Sequence, residues 1–489
     1  MSARHAVVIG GGLGALAIAL RLSAAGWRVT VCESGPAFGG KMNQWSNAGF
    51  TFDTGPSLIT MPWVFADLFT ATGARMDEHL ELVRMEPLAK YVFDDGTCFE
   101  YGSSIPQLLT MIQQIERRDV DGFWRFLHLG ARIFELSKET FFRRGAFEAP
   151  DAAALRALRR MPLRHAWGNY HSVVARHFRS PYLRQLYDRY PTYVGSSPYA
   201  APATLAIIPY IELAFGGWYV RGGLYRIVES LVDLCRKRGV DLRTNARVAS
   251  IIRDNNRASG VLLESGEAVV ADIVVMNGDT ADVPGLLNEP GAAPLAPAER
   301  SLSGFVLLLG VRRTLDDVPH HSVYFSADYE REFADLFTRR IFPEDPTVYV
   351  NVASRSDRSI VPGDGEAIFV MANAPATDVP WTDAQVEAAT SRVLARLRRG
   401  GFPEIETDIV VRDTWTPTRL ASSYGAPGGA IYGTHSHGWR HAFMRPPNKD
   451  SRIGGLYYVG GSTHPGGGTP TVLMSAQITS DLIARHEQP

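Results

Sequence analysis

Residues 4–33, "RHAVVIGGGLGALAIALRLSAAGWRVTVCE", carry the most informative structural pattern in the sequence. The apolar run His5 to Ile9 predicts a short buried parallel strand, and a glycine-rich turn follows it at once. An alanine- and leucine-rich segment, residues 15–25, then favours a helix that Gly26 ends, and a second apolar run predicts a strand finishing at Glu33. This order of strand, glycine turn, helix and strand within about 30 residues is the context in which a glycine motif predicts dinucleotide binding.

Each part of this unit has a physical role in that interpretation. Gly10 permits the tight turn, Gly12 lets the backbone approach a pyrophosphate, and Ala15 is small enough for the helix to pack on the strand. The N–H groups at the start of the helix attract phosphate. Glu33 can accept hydrogen bonds from a ribose with a free 2′-hydroxyl, which favours FAD or NAD over NADP. The alternative is a glycine-rich turn in an ordinary βαβ unit.

The composition is that of a folded globular protein. The chain has 489 residues, of which 45% are hydrophobic and 21% are charged, so we expect two or more domains or one large composite. The net charge of −1 gives no general attraction to nucleic acid. The cysteines Cys32, Cys98 and Cys235 are widely spaced and form no disulfide framework, which fits a reducing compartment.

The chain is expected to be cytoplasmic. The apolar N-terminus is interrupted by Arg21 and has no convincing cleavage site for a signal peptidase. No stretch reaches the roughly 18 uncharged apolar residues that a spanning helix needs. Attachment to a membrane surface without crossing it remains compatible with this pattern.

Several further motifs carry a resemblance to a known family. "PAFGGK" occupies residues 36–41, "FDTGPSL" residues 52–58, and "GLYYVGGSTHPGGGTPTVLMSA" residues 455–476. With a central block at residues 190–231 and "ADIVVMNGD" at residues 271–279, they occur in the family's order along essentially the whole chain. The sequence resembles the phytoene desaturase family of bacterial carotenoid desaturases, and its "NGD" and "GGGTP" segments are nearer to the hydroxycarotenoid 3,4-desaturase and diapocarotenoid desaturase branches.

The resemblance implies an α/β composite fold. A Rossmann-like FAD-binding domain of the glutathione-reductase and amine-oxidase type would carry an inserted substrate domain of mixed sheet and helices. We expect residues 1–75, 218–285 and 452–489 to form the FAD-binding domain. Residues 76–217 and 286–451 would form the region that binds substrate and associates with the membrane. Segments 320–329 and 343–350 resemble strands of the substrate domain, and helices are expected over much of residues 105–235.

The second glycine turn, residues 456–470, is interpreted as the other half of the cofactor site. Leu456 to Val459 would be a strand inserted into the sheet of the first domain. Thr469 to Thr471 would open a helix whose N-terminus points positive partial charge at the flavin N1–C2 edge. His464 is interpreted as a turn residue rather than a base.

The resemblance and the glycine motifs together predict a set of FAD contacts. They are Gly10, Gly12, Leu13, Gly14, Ala15, Glu33, Gly40, Lys41, Gly55, Pro56, Ser57, Val248, Asp279, Gly460, Gly461, Gly468, Thr469, Pro470 and Thr471. Two of these positions depart from the family pattern. Lys41 replaces the usual arginine and cannot make its bidentate fork, and Thr469 stands where the family more often has an aliphatic residue. Asp279 is as readily explained by a structural turn.

The implied reaction is FAD-dependent desaturation of an acyclic carotenoid. Hydride would pass to flavin N5 while a proton leaves the neighbouring carbon, so we expect positioning of an apolar chain rather than a catalytic triad. Glu212 lies in an otherwise apolar run and is the candidate acid or base. The alternative is a buried structural glutamate tied to a backbone amide or an arginine.

The resemblance also implies the partners. These are a lipophilic carotenoid, a membrane surface and quinone or oxygen as electron acceptor, with no nucleic acid and an oligomeric state left open. The segment Gly122 to Phe147 places Phe123, Leu127, Phe134 and Phe141 close to one helical face, which could lie in a membrane interface. The alternative is a helix that packs in the core.

Three other functions are compatible with this type of fold. An amine oxidase often holds FAD through a C-terminal cysteine, and no cysteine follows Cys235. A carotenoid isomerase shares the fold, and a prenyl-chain carrier would have little reason to keep the second flavin motif.

A metal site at His435, His437 and His441 is disfavoured, because the nearby glycines make a regular helix doubtful. No metal is therefore predicted.

Overall fold

The computed structural model describes residues 3–146, 148, 151–159, 168–289, 295–438 and 445–487. Its strands, in chain order, are β1 (His5–Ile9), β2 (Arg28–Cys32), β3 (Gln44–Asn47), β4 (Phe50–Asp53), β5 (Leu82–Arg84), β6 (Ala89–Val92), β7 (Cys98–Tyr101), β8 (Trp218–Val220), β9 (Asp241–Arg243), β10 (Val248–Asp254), β11 (Arg257–Leu263), β12 (Ala268–Val270), β13 (Ile273–Met276), β14 (Ser303–Val311), β15 (His321–Tyr324), β16 (Val348–Val352), β17 (Glu366–Ala374), β18 (Ile409–Trp415) and β19 (Leu456–Tyr458).

The helices of the same residues are α1 (Leu13–Ala24), α2 (Pro62–Ala71), α3 (Ile105–Glu116), α4 (Val120–Glu139), α5 (Ala152–Leu158), α6 (Tyr170–His177), α7 (Pro181–Asp188), α8 (Ile207–Phe215), α9 (Tyr225–Lys237), α10 (Val283–Leu286), α11 (Tyr329–Ala334), α12 (Asp383–Arg399), α13 (Pro417–Tyr424) and α14 (Thr469–His486). Helices α3 to α9 confirm the helix-rich region expected over residues 105–235.

A parallel five-stranded sheet forms the first layer of the fold. Its strand order is β19-β13-β1-β2-β9, and α1 packs beside both α9 and α14. Strands β1 and β13 are buried along their whole length, because helices or other strands cover both faces of the sheet. Strand β19 pairs with β13, with Leu456 opposite Val274. This confirms that the C-terminal strand inserts into the sheet of the first domain.

A mixed seven-stranded sheet forms the second large layer, in the order β18-β14-β17-β16-β15-β6-β7. Strands β6 and β15 are parallel, and the other neighbours are antiparallel. Strand β15 lies in segment 320–329 and β16 begins in segment 343–350, which confirms that both segments contain strands; their assignment to a substrate domain stays a prediction. One face of this sheet packs on α12 through a closed apolar cluster.

Two smaller features connect the layers. Strands β10, β11 and β12 form an antiparallel sheet, and β5 pairs with β8. Because β5 and β8 come from different sides of the predicted domain division, the two regions share backbone hydrogen bonds. The domain boundaries given above stay a prediction.

Helix α4 corrects one expectation about a membrane-facing surface. The helix ends at Glu139, so Phe141 lies beyond it and does not share its apolar face. Phe123 and Phe134 are buried in the main core, which confirms the alternative of a core-packing helix. Phe147 lies outside the described residues. Among the helices that the structure describes, none combines the length and apolar character needed to cross a bilayer.

Candidate active site

A cavity of about 1540 Å³ runs from the two glycine turns to the seven-stranded sheet. It exceeds the roughly 300–1,000 Å³ of a typical small-molecule pocket. The predicted cofactor residues that line it are Gly10, Gly12, Leu13, Gly14, Glu33, Gly40, Lys41, Gly55, Pro56, Ser57, Val248, Asp279, Gly460, Gly461, Gly468, Thr469, Pro470 and Thr471. Glu212 lines the same cavity, so segments far apart in sequence meet at one place.

Ala15 is the predicted contact that the structure places elsewhere. Its side chain is fully buried in the core beneath the turn and does not line the cavity. Ala15 is the third residue of α1, and its side chain packs among the core neighbours of that helix. Its small size therefore serves helix packing, and a contact between its backbone and the cofactor stays a prediction.

The amide of Asn277 explains why glycines surround it. A Cβ atom at Gly12 would lie 2.9 Å from Asn277 Oδ1, and one at Gly14 or Gly460 would lie within 2.8 Å of Asn277 Nδ2. Asn277 Nδ2 donates a hydrogen bond to the carbonyl of Val459, which joins the first turn to the second. Sequence reasoning missed Asn277, although its position directly after β13, in "NGD", was the available signal.

Glu33 directly follows β2, and its carboxylate faces the first glycine turn. Its Oε2 accepts a hydrogen bond from the N–H of Gly11 and its Oε1 accepts one from the N–H of Gly35, both at 2.6 Å. A Cβ atom at Gly11 would lie 2.9 Å from Oε2, so a larger residue would displace the carboxylate. The carboxylate lies at the cavity wall, where a ribose hydroxyl would reach it.

Lys41 and Gly55 bring the "FGGK" and "FDTGPS" segments into contact. A Cβ atom at Gly55 would overlap the carbonyl oxygen of Lys41, so only glycine allows this approach. Lys41 Nζ donates to the carbonyl of Ile431 at 2.6 Å. Burial lowers the pKa of Lys41, and nearby Asp279 opposes that shift. The side chain of Lys41 therefore lies at the cavity wall, where a phosphate would favour its charged form.

Two helices begin at the cavity, and neither has an acidic residue in its first turn. Leu13 starts α1 and Thr469 starts α14. The first N–H groups of a helix have no partner within it and carry positive partial charge. Gly468, with φ of +116°, brings the chain into α14. These helix ends, Lys41 and the Glu33 carboxylate fit the phosphates and the adenosine ribose of FAD.

Arg445 supports the second glycine turn and was also missed by sequence reasoning. It is buried and donates to the carbonyl of Gly461 at 3.1 Å and to Ser436 Oγ at 3.2 Å. Burial lowers its pKa to about 10. A charge of this kind at the cavity favours an anionic partner. Its position at the start of "RPPNKD", residues 445–450, which resembles a segment of the same family, was the available sequence signal.

His464 is buried in the same turn. Its Nε2 lies 2.8 Å from the carbonyl oxygen of Phe141, and burial lowers its pKa to about 4. His435 and His437 stack with their ring centres 4.0 Å apart, and His441 lies outside the described residues. Within the described ranges, no group of three possible metal ligands occurs.

Asp279 has a local structural contact as well as a place at the cavity. Its Oδ1 accepts a hydrogen bond from the N–H of Ala281 at 3.1 Å, which closes a turn after β13. Burial, followed by the charge of Asp279, raises the pKa of Asp282 to about 6. Both carboxyl groups line the cavity.

The far wall of the cavity is one face of the seven-stranded sheet. Strand residues that line it alternate with residues that face α12, as the period of a β-strand requires. The lining residues of this face are Ala89, Tyr91, Val306, His321, Val323, Tyr349, Phe369 and Met371. Opposite them stand Ile133 and Leu136 of α4 and Ile207, Ile208 and Ile211 of α8. This end of the cavity is largely apolar.

Glu212 lies at this apolar end, on α8. Tyr190 donates a hydrogen bond to its Oε1 at 2.5 Å, and Tyr193 donates to its Oε2 at 3.1 Å. Burial raises the pKa of Glu212, while the two tyrosine hydroxyls and the charge of Arg189 oppose the shift. The carboxylate is therefore held by hydroxyl groups, and among the described residues it has neither the backbone amide nor the direct arginine contact that the structural alternative named.

The model of the family described as flavin containing amine oxidoreductase matches residues 16–484. The chain belongs to this family. Membership confirms FAD as the cofactor, and the glycine turns, helix ends and charges described above fit it.

Several relatives match the chain over nearly its whole length, including the following three. It is 35% identical over 486 residues to the zeta-carotene-forming phytoene desaturase of Myxococcus xanthus, covering 98% of this chain and 94% of that protein. It is 32% identical to the 4,4'-diapolycopene oxygenase of a Methylomonas species, covering 98% of each chain. It is 33% identical to the 1-hydroxycarotenoid 3,4-desaturase of Flavobacterium sp. P99-3, covering 98% of this chain and 99% of that protein.

The flavin-containing fold is also found in solved structures. An oxidoreductase from Methanosarcina mazei superposes with a TM-score of 0.66 at 18% identity, covering 98% of this chain and all of that one. At this identity the likeness shows the fold alone. It confirms the expected composite of a dinucleotide-binding domain and a domain of mixed sheet and helices.

Proposed function

We propose that this protein is an FAD-dependent desaturase that introduces carbon–carbon double bonds into an acyclic carotenoid. The observation that carries the proposal is the single cavity that joins the dinucleotide cradle to a long apolar wall. Full-length similarity to enzymes named for carotenoid desaturation supports the same substrate class.

The chain's own contribution is to position the substrate and to exclude water from the reacting carbons. Bound FAD would supply a hydride acceptor for the carbon–hydrogen bond that breaks. The apolar wall formed by Val306, Phe369 and Met371 would hold a polyene against the cofactor side, and its exclusion of water keeps the reacting carbons dry. Glu212 would accept the proton lost from the neighbouring carbon, since it lines the cavity and two tyrosine hydroxyls orient it.

A membrane surface is proposed as the source of the substrate, because a carotenoid dissolves in lipid and not in water. Thr60 and Met61 line the cavity, and the next residues begin α2, where Trp63 is 43% exposed. Tryptophan is favoured at membrane interfaces. Flotation with lipid vesicles tests this association, and quinone or oxygen is proposed as the final electron acceptor.

One other function has a specific observation in its favour. The relative from Methylomonas is named an oxygenase and matches the chain over its full length. An oxygenase would add oxygen to the carotenoid, whereas a desaturase removes two hydrogens for each double bond. A carotenoid isomerase would leave the mass unchanged, and an amine oxidase or a prenyl carrier would leave the carotenoid as it was.

The test is expression of the full chain in cells that accumulate phytoene, neurosporene, a hydroxycarotenoid or diapophytoene. We expect products two or more hydrogens lighter than the substrate, with absorbance shifted to longer wavelength. The matched control is the Glu33→Arg variant, in which cofactor binding is expected to weaken. Purified protein that carries FAD but leaves every carotenoid unchanged would refute the desaturase proposal.

A further inference from the structure

Arg189 places a guanidinium group at the cavity without a carboxylate of the described residues as its ion-pair partner. It lies between α7 and the tyrosine-rich segment that follows, and it lines the apolar end of the cavity. No carboxylate of the described residues lies within ion-pair distance of its side chain, and the only hydrogen bonds that its guanidinium makes with those residues are the two given next. A cation in such a place is costly unless something satisfies it.

The aromatic residues around Arg189 satisfy only part of the guanidinium. Its Nη1 donates to the hydroxyl of Tyr91 at 3.2 Å and to that of Tyr193 at 3.0 Å. Its central carbon lies 5.0 Å from the ring centre of Tyr193 and 5.8 Å from those of Tyr91 and Tyr349. Tyr91 and Tyr349 belong to neighbouring parts of the sheet that forms the far wall.

Two nitrogens of the guanidinium are left for a ligand. Nε and Nη2 make no hydrogen bond with the described residues, and neither is among the buried atoms that lack a partner. Both therefore keep accessible surface, and the residue lines the cavity. A guanidinium presents its N–H groups in a fixed planar fork, so the free nitrogens define where an acceptor would lie.

The charge balance favours an uncharged acceptor. Tyr193 receives the hydrogen bond from Arg189 and donates its own to Glu212 Oε2. One hydroxyl therefore separates the guanidinium from a carboxylate, and the charge of Arg189 favours the ionised form of that carboxylate. With this internal counter-charge, a second carboxylate on the substrate would leave excess negative charge in an apolar space.

We propose that Arg189 is a specificity-determining residue that binds a hydroxyl or carbonyl oxygen on the end group of the polyene substrate. This inference rests on the proposed function and narrows its substrate class to oxygenated acyclic carotenoids. A pure hydrocarbon would cover the two nitrogens without supplying an acceptor, which leaves them desolvated and unpaired.

The experiment compares two acyclic C40 carotenoids that differ only in one terminal hydroxyl group. Binding of each to the FAD-loaded protein is measured by quenching of protein fluorescence, and turnover by product mass. We expect wild-type protein to favour the hydroxylated carotenoid by roughly 10- to 100-fold, as for one hydrogen bond to a charged group. In Arg189→Met this ratio should fall toward one, and Arg189→Lys should restore part of it.

One control variant and a set of stated outcomes separate the possible failures. Arg236→Met removes an exposed arginine of α9 and should leave the ratio as it is in the wild type. Three results would overturn the inference. They are equal binding of both carotenoids by the wild type, an unchanged binding ratio in Arg189→Met, and tighter binding of the same carotenoid carrying a terminal carboxylate in place of the hydroxyl group. Loss of FAD from Arg189→Met would also overturn it, by assigning the guanidinium to the cofactor. If neither carotenoid is desaturated, the proposed function fails while the binding ratio still decides this inference.

Discussion

At the level of single residues, two carboxylates mark the two ends of the cavity. Glu33 faces the glycine turn and accepts backbone hydrogen bonds, whereas Glu212 lies among apolar side chains and accepts hydrogen bonds from tyrosine hydroxyls. The two environments favour different roles for the two carboxyl groups. Glu33 is therefore suited to recognition through hydrogen bonds, whereas desolvation of Glu212 raises its pKa and suits it to proton exchange.

Glu33→Arg should weaken FAD retention. The substitution replaces a hydrogen-bond acceptor for the ribose with a longer cation and removes the contacts to Gly11 and Gly35. The measurement is the flavin-to-protein absorbance ratio after gel filtration, with Glu33→Gln as the control that keeps an acceptor oxygen. Undiminished flavin in Glu33→Arg would count against the ribose assignment.

Glu212→Gln should lower kcat by roughly 100-fold if Glu212 accepts the proton, within the usual range for a general base. Because burial raises the pKa of Glu212, activity should fall with decreasing pH at a higher pH than for an ordinary glutamate. The substitution should remove that limb of the rate profile. Tyr190→Phe removes a hydrogen bond to the charged form and should move the limb to higher pH. A variant with normal kcat per bound flavin and a lower Tm would instead assign Glu212 a structural role.

At the level of secondary-structure elements, loops and strands from one segment complete the ends of another. Asp53, the last residue of β4, accepts hydrogen bonds from the N–H groups of Leu224 at 2.8 Å and Tyr225 at 3.2 Å. Tyr225 is the first residue of α9, so a distant carboxylate satisfies that helix start. The "FDTGPS" motif therefore helps to build the fold as well as to line the cavity.

Asp53→Ala should lower the free energy of unfolding by about 1–2 kcal/mol at pH 7, the usual effect of losing a helix cap. Urea unfolding followed by far-ultraviolet circular dichroism measures the change. Asp53→Asn keeps one acceptor oxygen and should lose less. If Asp53→Ala unfolds at the wild-type urea concentration, the carboxylate does not stabilise α9.

For the molecule as a whole, buried neutral histidines link stability to pH. Burial lowers the pKa of His320 to about 3 and that of His464 to about 4. Since the folded state holds these rings neutral, their contribution is fully present above the ordinary pKa of about 6.5 and is lost as pH falls below it. Acid should therefore destabilise the protein before its carboxylates are protonated.

His320→Asn should reduce the loss of stability between pH 7 and pH 5 by about 2 kcal/mol, from the lowered pKa of that one ring. Urea unfolding at the two pH values measures it. Exchange of the exposed His128 for asparagine is the control and should leave the pH dependence in place. An equal fall in stability for His320→Asn and the wild type would contradict a neutral buried ring.

Local sequence patterns were sufficient to predict the elements of the fold that depend on interactions within a short segment of the chain. The first strand, the glycine turn and α1 follow from apolar periodicity and from the conformational freedom of glycine, and the same reasoning located β19 and the start of α14. The ordered motifs also pointed to FAD and to the family. These signals could be read because each lies within a short window of the chain.

Which side chains contact one another depends on the tertiary structure. Asn277 lies among Gly12, Gly14 and Gly460 because β1, β13 and β19 are neighbours in one sheet, and no local pattern in the sequence shows that arrangement. Arg189 faces Tyr91 and Tyr349 for the same reason, since strands from three separate segments form one cavity wall. The side chain of Ala15 packs in the core because successive side chains of a helix point to different sides of it. Spacing along the chain determined the elements, and packing between distant segments determined the site.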